Sequence, residues 1–172
     1  MDETAVVVTV PAADAVVSRF RREHTPSGAE GMPAHVTVLF PFVDPARLEA
    51  GMLDALGREL AAFPPFELTL AALRRFDGPP AVLYLAPAPS EPFVAMTRAL
   101  GARFGILPYG GEHADVIPHL TVATRAEPAV FDAIGDEVAR ELPVRGRVDA
   151  AEVWGHDAEG WRLLERVALG SP

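Results

Sequence analysis

The sequence has no cysteine, lysine, asparagine or glutamine, so its 15 strongly basic residues are all arginines. The absence of cysteine excludes disulfides, thiolate catalysis and thiolate metal sites. No apolar run approaches the length needed to cross a bilayer, so we expect no membrane association. The N-terminal residues 1–4 lack the basic region of a secretory signal, and we therefore expect a cytoplasmic protein.

The balance of charge limits the partners that the chain can bind. Its formal net charge of −9 argues against an extended nucleic-acid-binding surface. A small phosphorylated ligand, or an RNA end held locally, stays possible. With 172 residues, 49% of them hydrophobic and 23% charged, the chain fits one globular domain over 1–172, which we expect to be a monomer.

One short stretch occurs twice in the sequence. The first copy reads PAHVTVLF over 33–40, and the second reads IPHLTVAT over 117–124. The alternation of β-forming and polar residues predicts a half-buried strand in each copy. Side chains two apart on a strand share a face, so His35 projects with Thr37, and His119 projects with Thr121. We interpret the two copies as the two halves of one site.

Hydrophobic periodicity and turn signals predict the element order β-α-β-α-β-β-α-β-α-β-β. The predicted helices are 12–24, 46–62, 90–104 and 127–141, and the predicted strands are 5–10, 34–39, 66–74, 81–85, the second motif, 144–154 and 161–169. Hairpins at both ends of the predicted sheet favour an antiparallel α+β fold over a doubly wound parallel one. No glycine-rich nucleotide motif is present.

The sequence also predicts the location or role of several residues outside the motifs. Arg19, Arg21 and Arg22 are predicted to lie in solvent on the first helix, and 25–32 is predicted to be a loop. Asp44 is predicted to cap the helix 46–62. Candidate contacts to a ligand with weaker support are Phe40, Phe42, Arg74 and Arg75, whereas Trp154 and Trp161 are predicted to be packing residues.

The paired histidines suggest a specific chemistry. Histidine has an ordinary pKa near neutrality, so two facing imidazoles can act together as base and acid. Hydrolysis of a phosphodiester suits such a pair, because one ring can take a proton from water while the other gives one to the departing oxygen. Thr37 and Thr121 can hydrogen-bond the non-bridging oxygens. A 2′,3′-cyclic phosphate is a suitable substrate, since its strained ring opens without a metal.

The motifs in their contexts, HVTVLFPF over 35–42 and PYGG followed by IPHLTVA over 108–123, resemble the twin His-x-Thr/Ser signatures of the two-histidine phosphoesterases, the 2′-5′ RNA ligase-like proteins. The resemblance implies two pseudo-symmetric lobes with antiparallel sheets facing a central cleft and helices on the outside. It also implies cofactor-free cleavage of 2′,3′-cyclic phosphates to 2′-phosphates, with RNA-end ligation in some members. His35 and His119 would then be the general acid and base, in an order that the sequence leaves open, and Thr37 and Thr121 would hold phosphate.

One departure from the family pattern bears on the substrate. RNA-directed members often have an arginine three positions after the second motif threonine, whereas this chain has Thr124 there and Arg125 next. This weakens the expectation of RNA-ligase or tRNA-specific activity, and it puts a nucleotide-sized cyclic phosphate, or another small phosphodiester, on an equal footing as substrate.

Other assignments compete with the two-histidine enzyme. Tyr109 and His113 lie on the loop before the second motif, where Tyr109 is a candidate substrate contact. A metal site built from Glu112, His113, Asp115 and His119 matches no established ligand spacing, so we expect no metal. A nucleotide-binding module without turnover is a further alternative.

Overall fold

The computed structural model describes residues 3–107, 111 and 116–170. Its strands are β1 (Glu3–Thr9), β2 (His35–Leu39), β3 (Phe66–Phe76), β4 (Val82–Ala88), β5 (Leu120–Thr124), β6 (Val144–Val148), β7 (Ala150–Asp157) and β8 (Gly160–Ala168). Its helices are α1 (Pro11–His24), α2 (Pro26–Ala29), α3 (Ala50–Leu60), α4 (Glu91–Phe104) and α5 (Pro128–Ala139). None of the helices in these ranges is long and apolar enough to span a membrane.

In the described part of the chain, the strands form one antiparallel sheet in the order β6-β3-β4-β5-β2-β1-β7-β8. The two motif strands, β2 and β5, lie side by side at its centre. They meet at the register pair Val36 and Leu120. Each motif strand therefore belongs to its own four-stranded half, and the predicted α+β fold with two similar halves is confirmed.

The sheet curls because of a short connection. Only Asp149 separates β6 from β7, so the facing ends of these strands lie within about 7 Å of each other. In a flat sheet the six steps from β6 to β7 would place them roughly 29 Å apart. The strands must therefore wrap into a half-barrel.

The two faces of the central strands pack against different partners. Val6, Val8 and Val36 belong to the main core, which also includes the buried sides of α1, α4 and α5. Ala5 and Val7 point the other way and form a smaller cluster with Met32. The helices thus cover one face, and the concave face of the motif strands is left for a site.

Three element predictions were wrong in detail. The predicted loop 25–32 contains the one-turn helix α2. The predicted helix 46–62 is interrupted, because Asp44 caps a 3-10 turn at Pro45–Arg47 and α3 begins only at Ala50. The predicted strand 144–154 is two strands, since β6 pairs with β3 while β7 pairs with β1 and β8.

Candidate active site

The register of the two motif strands sets the geometry of the candidate site. Val36 and Leu120 are fully buried on the core face. One step to either side of this antiparallel pair, His35 lies across from Thr121 and Thr37 lies across from His119. These four side chains point to the concave face because side chains alternate along a strand. Each histidine thus faces the threonine of the other motif.

The four motif side chains line one open cavity of about 240 Å³. Its polar part also includes Arg21 and the hydroxyl-bearing residues Thr25, Ser27 and Thr124. None of the described residues that line the cavity carries a carboxylate. A cavity with one guanidinium, two imidazoles and several hydroxyls is suited to an anion.

Each motif histidine is oriented by the carbonyl group two residues before it. The Nδ1 of His35 lies 2.8 Å from the Pro33 carbonyl oxygen, and the Nδ1 of His119 lies 2.8 Å from that of Ile117. A carbonyl oxygen can only accept, so Nδ1 carries the hydrogen in both rings. In a neutral ring Nε2 is then the nitrogen with the lone pair, which is the atom that a general base uses.

Arg21 is the residue that the sequence prediction placed wrongly. The prediction put it in solvent, but its side chain is 1% exposed and lines the cavity. Its Nη1 donates to the Thr121 carbonyl at 2.6 Å, and its Nη2 lies 3.3 Å from the carbonyl oxygens of Met32 and Pro33. The helical spacing could have predicted this burial, because residue 21 lies on the same face of α1 as the buried residues 13, 17 and 20.

The guanidinium of Arg21 also faces the first motif histidine. Its Nη2 lies 3.5 Å from Nδ1 of His35. Both nitrogens carry hydrogen, so the contact is electrostatic rather than a hydrogen bond. Burial, and then the charge of Arg21, lower the pKa of His35 to about 3. Burial lowers the pKa of Arg21 itself to about 10, so at neutral pH the guanidinium is charged and the His35 imidazole is neutral.

His119 has different surroundings. Its ring makes edge-on contacts with Phe76 and Tyr84, whose centroids lie 5.3 and 5.6 Å away. The two aromatic rings stack on each other at 4.2 Å. The sequence motifs are nearly identical, but one histidine lies beside a cation and the other beside two aromatic rings.

The cavity also has an apolar lining. This consists of Ala5, Val7 and Met32 together with Phe40 and Trp161, whose rings meet edge to face at 6.3 Å. Trp161 was predicted to be a packing residue; it does pack against the cluster of Ala5, Val7 and Met32, and it also lines the cavity. Phe42, by contrast, is 4% exposed and belongs to the main core.

A bulge in β5 explains why Thr124 reaches the cavity. Tyr84 is paired with Thr121 and Leu83 with Ala123, so Val122 is an extra residue in the ladder. The bulge shifts the alternation, so that residues 121 and 124 share the concave face. The side chain of Arg125 is exposed and does not line the cavity. The position that holds an arginine in RNA-directed members is therefore a cavity position, and here it holds a threonine.

The remaining candidates either lie elsewhere or fall outside the described residues. Arg75 forms an ion pair with Asp132 at 2.6 Å instead of reaching the cavity. Tyr109, Glu112, His113 and Asp115 lie outside the described residues, so the predicted substrate contact of Tyr109 stays a prediction. Within the described ranges, no group of three or more histidine, aspartate or glutamate side chains could hold a metal ion.

Solved structures with the same fold include Escherichia coli LigT complexed with 3′-AMP, at a TM-score of 0.63 and 20% identity over 98% of both chains. TT0787 of Thermus thermophilus matches with the same TM-score, identity and coverage. Usb1 of Kluyveromyces marxianus matches at a TM-score of 0.51 and 12% identity, again over 98% of both chains. Among curated proteins, none matches the chain.

The model of the 2′-5′ RNA ligase superfamily matches residues 9–160, a range that includes both motifs and the elements that bring them together. The twin motifs, the antiparallel sheet that joins them and this match agree: the chain belongs to the 2′-5′ RNA ligase superfamily of two-histidine phosphoesterases.

Proposed function

We propose that this protein hydrolyses 2′,3′-cyclic phosphodiesters of nucleotides or RNA 3′ ends without a metal. The observation that supports it best is the shared cavity, into which both motifs bring an imidazole and a hydroxyl. The buried guanidinium of Arg21 and the lack of carboxylates in the described lining give this cavity the charge that a phosphodiester requires, although the whole chain carries −9.

In the proposed reaction the two histidines act on opposite sides of phosphorus. One imidazole takes a proton from the attacking water, and the new bond forms between its oxygen and phosphorus. The bond from phosphorus to the 3′ oxygen breaks, and that oxygen takes a proton from the other imidazole, which leaves a 2′-phosphate. Thr37 and Thr121 donate to the non-bridging oxygens, where negative charge builds.

The apolar lining of the cavity supports a nucleotide substrate. Phe40 and Trp161 offer aromatic surface on which a base can stack, in the same cavity as the polar side chains that would hold the phosphate. Structures of Escherichia coli LigT hold 3′-AMP, ATP and phosphate, which agrees with a nucleotide-sized ligand for this fold. Thr124, at the position of the arginine in RNA-directed members, favours hydrolysis of small substrates over RNA ligation.

The test is an assay of 2′,3′-cyclic nucleotides, and of short RNA with a cyclic-phosphate end, in the presence of EDTA. Either single variant, His35→Ala or His119→Ala, should lower kcat by roughly 10²–10⁴-fold, as loss of a general acid or base does. His156→Ala serves as the matched control for kcat, because this histidine pairs with Glu30 and does not itself line the cavity, although its ring packs against Trp161.

Three outcomes would contradict the proposal in different ways. Full turnover in the double His35→Ala, His119→Ala variant would exclude the two histidines. Loss of turnover on chelation would point to a metal-dependent hydrolase. Calorimetric binding of nucleotides without any product would indicate a binding module that lacks catalysis.

A further inference from the structure

Arg21 contacts both motif segments at once. Its Nη1 donates to the carbonyl of Thr121 in the second motif. Its Nη2 lies within 3.3 Å of the carbonyl oxygen of Pro33, which also accepts from Nδ1 of His35. The two motif strands meet at one register pair, so this guanidinium is a second link across their junction.

A structural crosslink alone does not account for a charged group at this place. Burying a guanidinium costs free energy unless its charge and all its hydrogens are satisfied. Arg21 is 1% exposed, and its Nε has no hydrogen-bond partner among the described residues. Neutral donors could hold two carbonyl groups at lower cost. What a neutral group could not supply is the positive charge 3.5 Å from His35.

This charge makes the two halves of the site unequal. A cation beside His35 disfavours a second positive charge on that ring. His119 lies against the rings of Phe76 and Tyr84, with centroids 5.3 and 5.6 Å away. A pair of histidines in acid–base catalysis needs one ring neutral and the other protonated. The unequal surroundings determine which ring is which.

We propose that Arg21 is a positioning residue that makes His35 the proton acceptor of the pair and leaves His119 as the proton donor. The inference rests on the proposed function and adds the division of roles to it. Water then gives its proton to Nε2 of His35 as its oxygen bonds to phosphorus, and Nε2 of His119 gives a proton to the departing 3′ oxygen. Exchange with solvent restores both rings.

The charged and titratable groups around His35 come from α1 and from the second motif. Arg21 faces it from α1, and His119 faces it from the second motif. Asp14, also on α1, accepts a hydrogen bond from the Ala34 amide at 2.8 Å, and its charge acts on Arg21. A bound phosphodiester anion would offset the charge of Arg21 and raise the pKa of His35, so the substrate itself would make the base stronger.

The first test measures the protonation of His35 directly. Nitrogen-15 NMR of the histidine rings, titrated from about pH 8 to about pH 4, is recorded for the wild type and for Arg21→Met. We expect His35 in the wild type to stay neutral, with its proton on Nδ1, throughout most of this range. In Arg21→Met its titration should move up by about one to two pH units. Addition of 2′-AMP should also move it up in the wild type.

Two further variants separate charge from shape. Arg21→Lys keeps a charge but loses the planar fork, so it should restore most of the wild-type titration of His35. Arg22→Met removes a charge from the next position, where the side chain is exposed, and should leave His35 unchanged. If Arg21→Met does not fold, the wild-type titration still decides, because a His35 that titrates near its ordinary pKa overturns the inference.

The second test assigns the roles through the pH dependence of kcat/KM for a 2′,3′-cyclic nucleotide. Its acidic limb reports the base and its basic limb reports the acid. We expect Arg21→Met to raise the apparent pKa of the acidic limb and to leave that of the basic limb unchanged. Movement of the basic limb instead would reverse the assignment. If no cyclic phosphate is hydrolysed while the NMR result holds, the proposed function fails and the effect of Arg21 on His35 stands.

Discussion

Trp161 gives the cavity an aromatic surface. If it stacks on the base of a nucleotide, Trp161→Ala should raise KM about 5- to 100-fold and change kcat much less, since such stacking contributes about 1–3 kcal/mol. Trp154→Ala is the matched control. That side chain belongs to the same small cluster but does not line the cavity, and it donates a hydrogen bond to Glu152. Equal effects on KM in both variants would argue against stacking.

His35 also links the site to the stability of the fold. Its pKa is about 3 in the folded chain and about 6.5 when unfolded, so between these values the unfolded chain binds the proton more readily. The free energy of unfolding must therefore fall as the pH falls below about 6.5, and above that pH the contribution of His35 is constant. Urea unfolding at about pH 7.5 and pH 5 should show a loss of up to about 2 kcal/mol in the wild type that is missing in His35→Gln.

The residues of the site differ in how far the sequence could predict them. His35, Thr37, His119 and Thr121 were predicted to share one face by alternation within two short motifs, which is a local property, and they do line one cavity. Arg21 was missed because an arginine on an amphipathic helix is usually solvated. Its burial depends on carbonyl groups far along the chain, of which Thr121 is 100 positions away.

At the scale of elements, the turn from α1 to α2 holds Arg21 in place, and Gly28 makes that turn possible. A Cβ at Gly28 would lie 2.5 Å from the carbonyl oxygen of Arg21 and 2.7 Å from Oγ1 of Thr25. Because the backbone of a helix end cannot easily move, Gly28→Ala should cost about 1–3 kcal/mol of stability. The new side chain should also shift the end of α1 and with it Arg21, so kcat/KM should fall as well.

Gly51→Ala is the matched control for this prediction. A Cβ at Gly51 meets nothing within 4 Å, and the residue lies in α3. Alanine there should leave activity unchanged and raise stability by up to about 1 kcal/mol. Thermal unfolding and kcat/KM of both variants check the pair, and a Gly28→Ala variant as stable and active as Gly51→Ala would contradict the role given to this turn.

Element boundaries were predictable only where they depend on local signals. The hairpin of β3 and β4 was predicted from an alternating run over 66–74 and an apolar run over 81–85 around a proline- and glycine-rich turn, and it is confirmed. The break at Asp149 was not predicted. Both sides of it are good strand sequence, and only their pairing with different strands makes them separate.

At the scale of the whole molecule, the negative charge sets how substrates of different length should behave. A net charge of −9 surrounds a cavity whose described lining has no carboxylate, so a mononucleotide meets the favourable local charge while a longer RNA also meets the repelling surface. The Debye length is about 30 Å at 10 mM salt and about 8 Å at 150 mM, so salt should screen this repulsion.

We therefore expect a 2′,3′-cyclic mononucleotide to be hydrolysed with a higher kcat/KM than a ten-nucleotide RNA with a cyclic-phosphate end, most clearly at 10 mM salt. Raising the salt to 150 mM should increase kcat/KM for the RNA more than for the mononucleotide, which is the internal control. Proteins that grip nucleic acid with basic surfaces show the opposite sign, because salt weakens their binding. A preference for the longer RNA that declines with salt would mean that the chain has a local basic surface despite its negative net charge. The expected restriction to small substrates would then be wrong.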